Sequence, residues 1–527
     1  MAEKSLKTLE AAPDQIDNDE QTIDPAPDAL APSTTRASAS VPYSAFTRSR
    51  KQVIVAIVAL AGVASTLSAN IYFPALNAIQ EDFGTTAEMI NLTISLYMVF
   101  QGLSPSLWGS LADQWGRRPV YLCTMVIYLG ANVGLALSPN YTALLVLRML
   151  QAFGSSSVIA IGAGCIGDIA SPSERGTYFG IYSVGPMLGP IIGPIIGGVI
   201  AQNLGWRWIF WLLTIIAGAL FFLVLFLLPE TLRSLVGDGS GYANPTPTQW
   251  LQAKALRKDT PEPITPSGQK SRFLQPPKLL QPLQYIFYPD VAVCLFCNGI
   301  PYAVFYCVLS STSYLFETIY GLNEQQIGLC YIANGVGCIL GGLIIGRVLD
   351  RDFRITAEKH GYDSSKLSRG SLGADFPIFE ARLRSIWVPL FLFDALIIIY
   401  GFLLWRDVSL AGILVVQFFL GICVTSLFNL YQTMLIDLFP KNSASITASN
   451  NLVRCLLGAA CTAAIQPGIT SIGVQYMFLT VGLIVVATTP GIFVMRKYGP
   501  RWRRNRMEQQ AAALLTTSEK AATDITK

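Results

Sequence analysis

The chain has 527 residues, of which 52% are hydrophobic and only 13% are charged. Soluble domains carry about 25% charged residues, so this composition argues against a large soluble enzyme. The formal net charge is only +4, and no run of Lys and Arg alternates with aromatic residues, which argues against a nucleic-acid partner.

Residues 1–50 are rich in Pro, Ala, Ser, Thr and Asp and contain too few apolar side chains to form a core, so we interpret them as a disordered tail. Twelve apolar segments follow, each long enough to span a bilayer as a helix. Their apolar character is continuous rather than alternating, which excludes a membrane barrel. The predicted spans are 52–73, 89–111, 119–138, 142–168, 176–201, 208–229, 289–316, 326–349, 385–405, 409–437, 445–468 and 473–495.

Two long polar interruptions divide the spans. The first, 230–288, is Pro-rich and separates six spans from the next six, and the second, 350–384, separates spans 8 and 9. The sequence therefore predicts an all-α membrane protein built from two six-helix pseudo-repeat halves. The predicted regions are a tail (1–50), a first half (51–229), a central loop (230–288), a second half (289–496, with its insert) and a C-terminal tail (497–527).

The positive charges predict the orientation. On one side of the membrane the loops hold only Arg207 and Arg406, and two further arginines, Arg148 and Arg454, lie within spans. Nearly all other Lys and Arg lie on the side of the two tails and the central loop. Because positively charged loops face the cytoplasm, both termini are predicted to be cytoplasmic.

The Cys and His content indicates neither a disulfide framework nor a metal site. All ten cysteines lie in apolar stretches, and the single histidine, His360, lies in a polar loop. The sequence shows no catalytic constellation, indicates no cofactor and no metal, and contains no Gly-x-x-x-x-Gly-Lys-Ser/Thr motif. We therefore expect a protein that is not an enzyme and that uses an ion gradient or the membrane potential.

An internal repeat supports the two halves. The segments Gly109–Arg118 and Gly346–Arg354 both place Asp four residues after Gly, and Arg four residues after that Asp. Spans 4 and 10 also each end in an aspartate, Asp168 and Asp437. Duplicated halves of this kind are typical of secondary transporters.

Four motifs resemble those of the major facilitator superfamily, and within it the twelve-span drug–proton antiporter family. They are Gly109–Arg118, Arg148–Gly154, Gly189–Gly198 and Asn70–Pro74. A narrower resemblance, to the fungal quinidine-resistance and citrate-exporter branch, is carried by 70–76, 375–384 and 447–458. The resemblance implies transport by alternating access.

The resemblance also implies a conformational latch at the cytoplasmic helix ends, which holds the outward-facing state and breaks when the protein opens inward. The alternative is ordinary interfacial charge, since an exposed pair contributes only about 0–1 kcal/mol. The candidate latch residues are Asp113, Arg117, Arg118, Asp168, Asp350, Arg354 and Asp437.

The two arginines within spans are the main candidates for substrate contact or coupling, because a guanidinium in hydrocarbon normally faces a cavity or a partner. By resemblance, Arg148 acts in proton coupling or substrate contact; alternatively, backbone carbonyls and Gln151 satisfy it. Arg454 lies beside Asn450 and Asn451, a set that either binds a carboxylate by forked hydrogen bonds or joins helices.

Aromatic and amide side chains complete the predicted site. Tyr302 and Tyr306 are four residues apart and share one helix face. Asn70 is a further candidate. The aromatic and amide set forms either an amphipathic pocket or ordinary core packing, and its other members are Tyr97, Gln101, Asn298, Asn334, Asn429 and Gln432.

The fifth span carries a motif of four Gly and two Pro, which predicts a bent, tightly packed helix at the interface that rocks during transport. The alternative is packing without a transport role. The motif residues are Gly189, Pro190, Gly193, Pro194, Gly197 and Gly198.

Two membrane arginines without a mid-membrane acid in the cavity-lining spans favour an anionic substrate. We therefore predict a secondary transporter that exports small organic molecules, especially citrate-like carboxylates or acidic metabolites, across the plasma membrane. The alternative is a polyspecific, proton-coupled multidrug efflux pump. The predicted partners are a small-molecule substrate, the lipid bilayer and protons, with no nucleic acid, and the predicted oligomeric state is a monomer.

Overall fold

The computed structural model describes residues 44–171, 174–256, 281–362, 376–439 and 443–525, and within these ranges it contains helices and no strand. Twelve long helices, numbered here α1 to α12, confirm the predicted all-α fold. Their bounds are α1 Arg48–Asn70, α2 Ala87–Trp115, α3 Arg117–Ala136, α4 Tyr141–Ile169, α5 Arg175–Leu204, α6 Arg207–Leu227, α7 Pro289–Tyr320, α8 Glu324–Lys359, α9 Trp387–Trp405, α10 Leu410–Leu438, α11 Ser443–Ile472 and α12 Val474–Val486, continued by Thr489–Ile525.

Eleven of these helices are long and apolar enough to cross a membrane, as judged by length and composition over the described residues. The remaining long helix is α2, which has 29 residues and a more polar interior face. Its buried side chains include Asn91, Thr93, Ser95 and Ser104. These polar groups lower its hydropathy, and they are buried where α2 packs against its neighbouring helices.

The helix ends are set by local capping groups. Asn323 accepts a hydrogen bond from the Gln326 N–H at 2.9 Å, and the Gln326 side chain accepts one from the Asn323 N–H at 3.1 Å, which is a capping box. Gly321 ends α7 in the left-handed conformation at φ 63°, and Gly116 joins α2 to α3 at φ 111°. Tight turns of this kind return the chain across the membrane.

The two halves, α1–α6 and α7–α12, meet along two helix pairs. The helix α2 packs against α11, and α5 packs against α8. Inside the first half the closest packing joins α1 to α5 and α3 to α4 and α6, and inside the second half it joins α7 to α11 and α8 to α10. The groups between these helix pairs therefore lie at the centre of the molecule.

Two helices continue past their predicted ends. The helix α8 runs to Lys359, ten residues beyond the predicted span, and the helical segment after α12 runs to Ile525 through the predicted C-terminal tail. Short helices occupy part of the central loop and the insert: Arg233–Val236, Pro247–Leu256, Gln281–Ile286 and Ile378–Arg382. Most of the predicted disordered tail and parts of the central loop and the insert lie outside the described residues.

Candidate functional site

Arg148 lies in the interior of the first half with 1% of its surface exposed. Its Nη1 donates to Gln151 Oε1 at 2.6 Å, and Gln151 Nε2 in turn donates to Asn132 Oδ1 at 2.7 Å. The guanidinium carbon lies 4.0 Å from the centroid of the Tyr72 ring and 4.3 Å from that of Tyr97. Two aromatic faces and one amide thus hold a cation that forms no ion pair within the described chain.

Arg454 occupies a similar setting in the second half. Its Nη2 donates to Asn451 Oδ1 at 2.7 Å, and its guanidinium carbon lies 4.3 Å from the Tyr302 ring centroid and 4.8 Å from that of Phe428. Its Nε is buried and has no hydrogen-bond partner among the described residues. Of the two asparagines beside Arg454 in the sequence, Asn451 bonds to its guanidinium, whereas Asn450 bonds to other side chains of the described chain.

Asn450 belongs instead to a chain of amides that joins three helices. Asn298 Nδ2 of α7 donates to Asn450 Oδ1 at 2.8 Å, and Asn450 Nδ2 donates to Gln432 Oε1 of α10 at 2.6 Å. Gln432 Nε2 then donates to Thr447 Oγ1 at 2.8 Å. Asn450 and Gln432 therefore hold α7, α10 and α11 together, which corresponds to the helix-joining alternative.

Four residues of the predicted site, Asn70, Tyr302, Tyr306 and Asn334, meet at one cavity between the halves, together with Pro190 of the fifth-span motif. The cavity has a volume of about 120 Å³. Its walls come from α1, α5, α7 and α8, so both halves contribute to it. The lining residues are Asn70, Pro190, Tyr302, Phe305, Tyr306, Leu309, Tyr331, Asn334 and Cys338.

The predicted outer side of this region is closed by contacts between the two halves. Ser313 Oγ donates to the Phe73 carbonyl at 2.6 Å, and Asn77 Nδ2 donates to the Ser313 carbonyl at 3.1 Å and to the Glu317 carboxylate. The Phe73 ring stacks on Tyr331 with centroids 6.1 Å apart. Together these contacts seal the segment after α1 against α7 and α8.

The glycines of the fifth-helix motif allow α5 to approach both neighbours closely. A Cβ on Gly189 would lie 2.1 Å from Thr66 Oγ1, and one on Gly197 would lie 2.1 Å from the Ile71 carbonyl oxygen, both in or next to α1. A Cβ on Gly198 would lie 2.4 Å from the Glu324 carbonyl oxygen of α8. Gly193 also faces α1, and Pro190 and Pro194 lie within the continuous helix.

The first-half latch residues form a compact charge cluster. Arg117 Nη1 lies 2.7 Å from Asp113 Oδ1, and Arg117 Nε lies 3.1 Å from Asp168 Oδ2. Both pairs lie within the first half, in a structure whose predicted outer side is closed. That they break when the protein opens to the cytoplasm stays a prediction.

Within the described part of the chain, the Arg118 guanidinium does not form the ion pair that the predicted latch requires of it. It donates to the backbone carbonyls of Leu225 at 2.7 Å, Pro245 at 3.0 Å and Asn244 at 3.3 Å, and to no carboxylate among the described residues. Adjacent residues at the start of a helix point about 100° apart, so Arg118 faces the central loop while Arg117 faces α4.

Glu230 is a member of this cluster that the sequence reasoning missed. With 3% of its surface exposed, it accepts the N–H of Arg117 at 2.8 Å and those of Thr231 and Leu232 at 3.0 Å each. Asn244 Nδ2 also donates to it at 2.9 Å. The sequence feature that could have identified Glu230 is its position as an acidic residue directly after the Pro that ends span 6.

In the second half, Asp437 forms a buried ion pair with a residue outside the predicted set, and a latch of Asp350, Arg354 and Asp437 stays a prediction. Asp437 Oδ2 lies 2.7 Å from Arg382 Nη2, and the two side chains are 2% and 1% exposed. Arg354 and Asp350 are exposed at the surface of α8. Arg382 lies in the short helix of the insert, and Asp437 lies at the end of α10. Because the two residues are on different helices, residue spacing along one helix could not predict the pair.

Comparisons with known proteins match this architecture. The sequence profile of the Major Facilitator Superfamily matches residues 58–457. Citrate exporter 1 of Aspergillus niger is 40% identical over 501 residues, which cover 94% of each chain. The multidrug transporter QDR2 of Candida glabrata is 32% identical and covers 91% of this chain and 86% of its own. The crystal structure of the human organic anion transporter MFSD10 (TETRAN) shares the fold, with a TM-score of 0.52, 16% identity and coverage of 84% of this chain and 99% of that one.

Proposed function

This chain belongs to the Major Facilitator Superfamily and is a secondary transporter, and from that premise we propose that it exports organic anions, such as citrate-like carboxylates or acidic metabolites. We further propose that it acts in the plasma membrane with both termini in the cytoplasm, in keeping with the distribution of Lys and Arg. Transport is driven by an ion gradient or by the membrane potential.

The observation that carries the proposal is the pair of interior arginines without counterions. Arg148 and Arg454 are held by aromatic faces and amides rather than by carboxylates of the described chain. An isolated charge in an apolar interior is costly unless an opposite charge accompanies it. An anionic substrate supplies that charge, whereas a cationic substrate would be repelled by both residues.

The geometry at Arg454 suits a carboxylate particularly well. Its Nη2 is committed to Asn451, but its buried Nε is without a described partner. Guanidinium groups hold carboxylates through charge-assisted hydrogen bonds of about 2.7–2.9 Å. In this proposal Arg454 holds the substrate carboxylate, Tyr302 and Tyr306 line its path, and Arg148 with Gln151 contributes a second positive charge.

The remaining predicted residues act in the conformational cycle. The pairs α2–α11 and α5–α8 are the surfaces on which the halves rock, and the glycines of α5 allow the close approach. The Asp113–Arg117–Asp168 cluster holds the ends of α2, α3 and α4 as one unit, with Glu230 anchoring the start of α3. The contacts at Ser313 and Asn77 open when the substrate leaves.

A second candidate function is multidrug efflux coupled to protons. It is favoured by the similarity to the Candida glabrata multidrug transporter and by the aromatic walls of the cavity, which suit flat apolar drugs. Such a pump exchanges a cationic drug for protons, so the sign of the transported charge separates the two proposals.

The test is efflux from cells that express the chain. Labelled citrate and labelled 4-acetylbenzoate are the anionic probes, and tetraphenylphosphonium is the cationic one, each measured with and without a protonophore. Arg454→Ala should abolish efflux of the anions. The matched control is Arg406→Ala, which removes the same charge from the exposed end of α9. Efflux of the cation alone, sensitive to the protonophore, would refute the anion proposal in favour of multidrug efflux.

A further inference from the structure

The wall of the cavity between the halves contains a buried hydrogen-bond donor that no described residue accepts. Asn334 is 4% exposed and lines the cavity, and its Nδ2 has no hydrogen-bond partner among the described residues. Its Oδ1 accepts from the Cys338 thiol at 3.5 Å. With the amide in this orientation, the NH₂ group is the end without a described partner.

An unpaired donor of this kind is costly, since leaving one buried costs about 1–3 kcal/mol. Ordered water is the usual remedy, but a buried water needs two to four polar partners. The cavity walls are mostly aromatic and aliphatic, and the Tyr331 hydroxyl already donates to the Leu309 carbonyl at 2.6 Å. Asn70, Tyr302 and Tyr306 also line the cavity, so an acceptor atom of a ligand competes with water for the Asn334 amide.

The size of the cavity limits what fits beside Asn334. A volume of about 120 Å³ is close to that of an engineered apolar cavity of about 150 Å³ that binds benzene. A ring-sized or short branched group fits it, with one acceptor atom for the amide. A compact group with several charges would leave those charges against Phe305 and Leu309.

The cavity also adjoins the arginine of the second half. Tyr302 lines the cavity and lies with its ring centroid 4.3 Å from the Arg454 guanidinium carbon. Tyr302 and Tyr306 lie against each other with centroids 4.6 Å apart, so the two form a continuous wall between the cavity and the charge. Arg454 does not line the cavity itself, so a molecule meets the cation at one end and the amide donor at the other only when the Tyr302 ring moves aside.

We propose that the Asn334 cavity is a specificity subsite, which takes a ring-sized apolar group bearing one hydrogen-bond acceptor while Arg454 holds the carboxylate of the same molecule. This inference rests on the proposed export of organic anions and narrows it to amphipathic acids, such as those with a ketone, ether or lactone oxygen. Asn334 is then the residue that selects among acids.

The experiment compares two acids of almost the same shape in proteoliposomes that contain the purified full chain. The acid 4-acetylbenzoate carries a ketone oxygen, whereas 4-isopropylbenzoate replaces that oxygen with a methyl group. Citrate is the compact anion, and tetraphenylphosphonium is the cation. The apparent KM is measured for each probe with the wild type, with Asn334→Leu, and with Asn203→Leu, whose asparagine is exposed at the end of α5.

The wild type should bind 4-acetylbenzoate about three- to tenfold better than 4-isopropylbenzoate, which is the effect of one hydrogen bond. Asn334→Leu should abolish that preference, and Asn203→Leu should keep it. Equal KM values for the two benzoates in the wild type would overturn the inference even where the variant fails to fold. A preference that survives Asn334→Leu would also overturn it.

The outcomes separate this inference from the proposed function. Transport of citrate and both benzoates without discrimination removes the Asn334 subsite and leaves organic-anion export standing. Transport of tetraphenylphosphonium without any of the three acids removes both.

Discussion

Breaking the buried ion pair between Arg382 and Asp437 from one side should destabilise the second half far more than breaking the exposed pair beside it. Arg382 Nη2 and Nε lie 2.7 and 2.8 Å from Asp437 Oδ2, and both side chains are almost completely buried. Asp437→Asn leaves the guanidinium with the Leu349 carbonyl at 3.3 Å and the Phe353 ring at 4.8 Å. Breaking a buried pair from one side costs about 3–5 kcal/mol, and these remaining contacts place the expected loss near the lower value.

The magnitude can be converted into a melting temperature. Each kcal/mol shifts the midpoint by roughly 2–4 °C in a unit of 150–250 residues, which is the size of one six-helix half. Asp437→Asn should therefore lower the midpoint by roughly 6–12 °C. The assay is the fraction of detergent-purified protein that stays monodisperse after heating.

The matched control is the neighbouring pair of Glu380 and Lys359. It is 2.8 Å long, but its side chains are 36% and 63% exposed. Exposed pairs contribute only about 0–1 kcal/mol, so Glu380→Gln should leave the midpoint nearly unchanged. The double variant Arg382→Met with Asp437→Leu removes both charges and should recover most of the loss. Equal shifts for Asp437→Asn and Glu380→Gln, or a double variant with the full sum of the single losses, would refute this reasoning.

Two further predictions concern the rocking interface and the first-half cluster. Gly198→Ala places a Cβ 2.4 Å from the Glu324 carbonyl oxygen and should reduce the transport rate roughly tenfold. The control is Gly180→Ala, whose Cβ would have no atom within 4 Å and which should transport normally. Equal transport rates for the two variants would contradict the proposed contact between α5 and α8. Glu230→Ala leaves four backbone N–H groups without their acceptor and should cost about 1–3 kcal/mol in the same heating assay. Exposed Glu81→Ala is its control, and a shift no larger than that of the control would remove Glu230 from the cluster.

Most of the fold is predictable from the sequence because long continuous apolar runs have one solution in a bilayer. The extensions of α8 to Lys359 and of the C-terminal helical segment to Ile525 were missed for the same reason. They are polar helices outside the apolar runs, so hydropathy carries no signal for them.

The site was predictable only where the partners lie on one helix. Arg148 and Gln151 are three residues apart and do bond, as helical spacing allows. Spacing could not decide between Asn450 and Asn451 as the partner of Arg454, because both lie within one turn of it. The partners Arg382 and Glu230 lie in polar connecting segments, whose paths are set by tertiary contacts rather than by periodicity.

A direct binding measurement tests whether the two interior arginines bind an anionic substrate. Binding of labelled 4-acetylbenzoate, citrate and tetraphenylphosphonium would be measured on purified protein for the wild type, Arg148→Gln and Arg454→Gln. Losing a hydrogen bond to a charged group costs about 1.5–3 kcal/mol, so Arg454→Gln should weaken binding of the acid roughly 10- to 150-fold and should not weaken binding of the cation. Binding of the cation to the wild type with no binding of either acid would contradict the account.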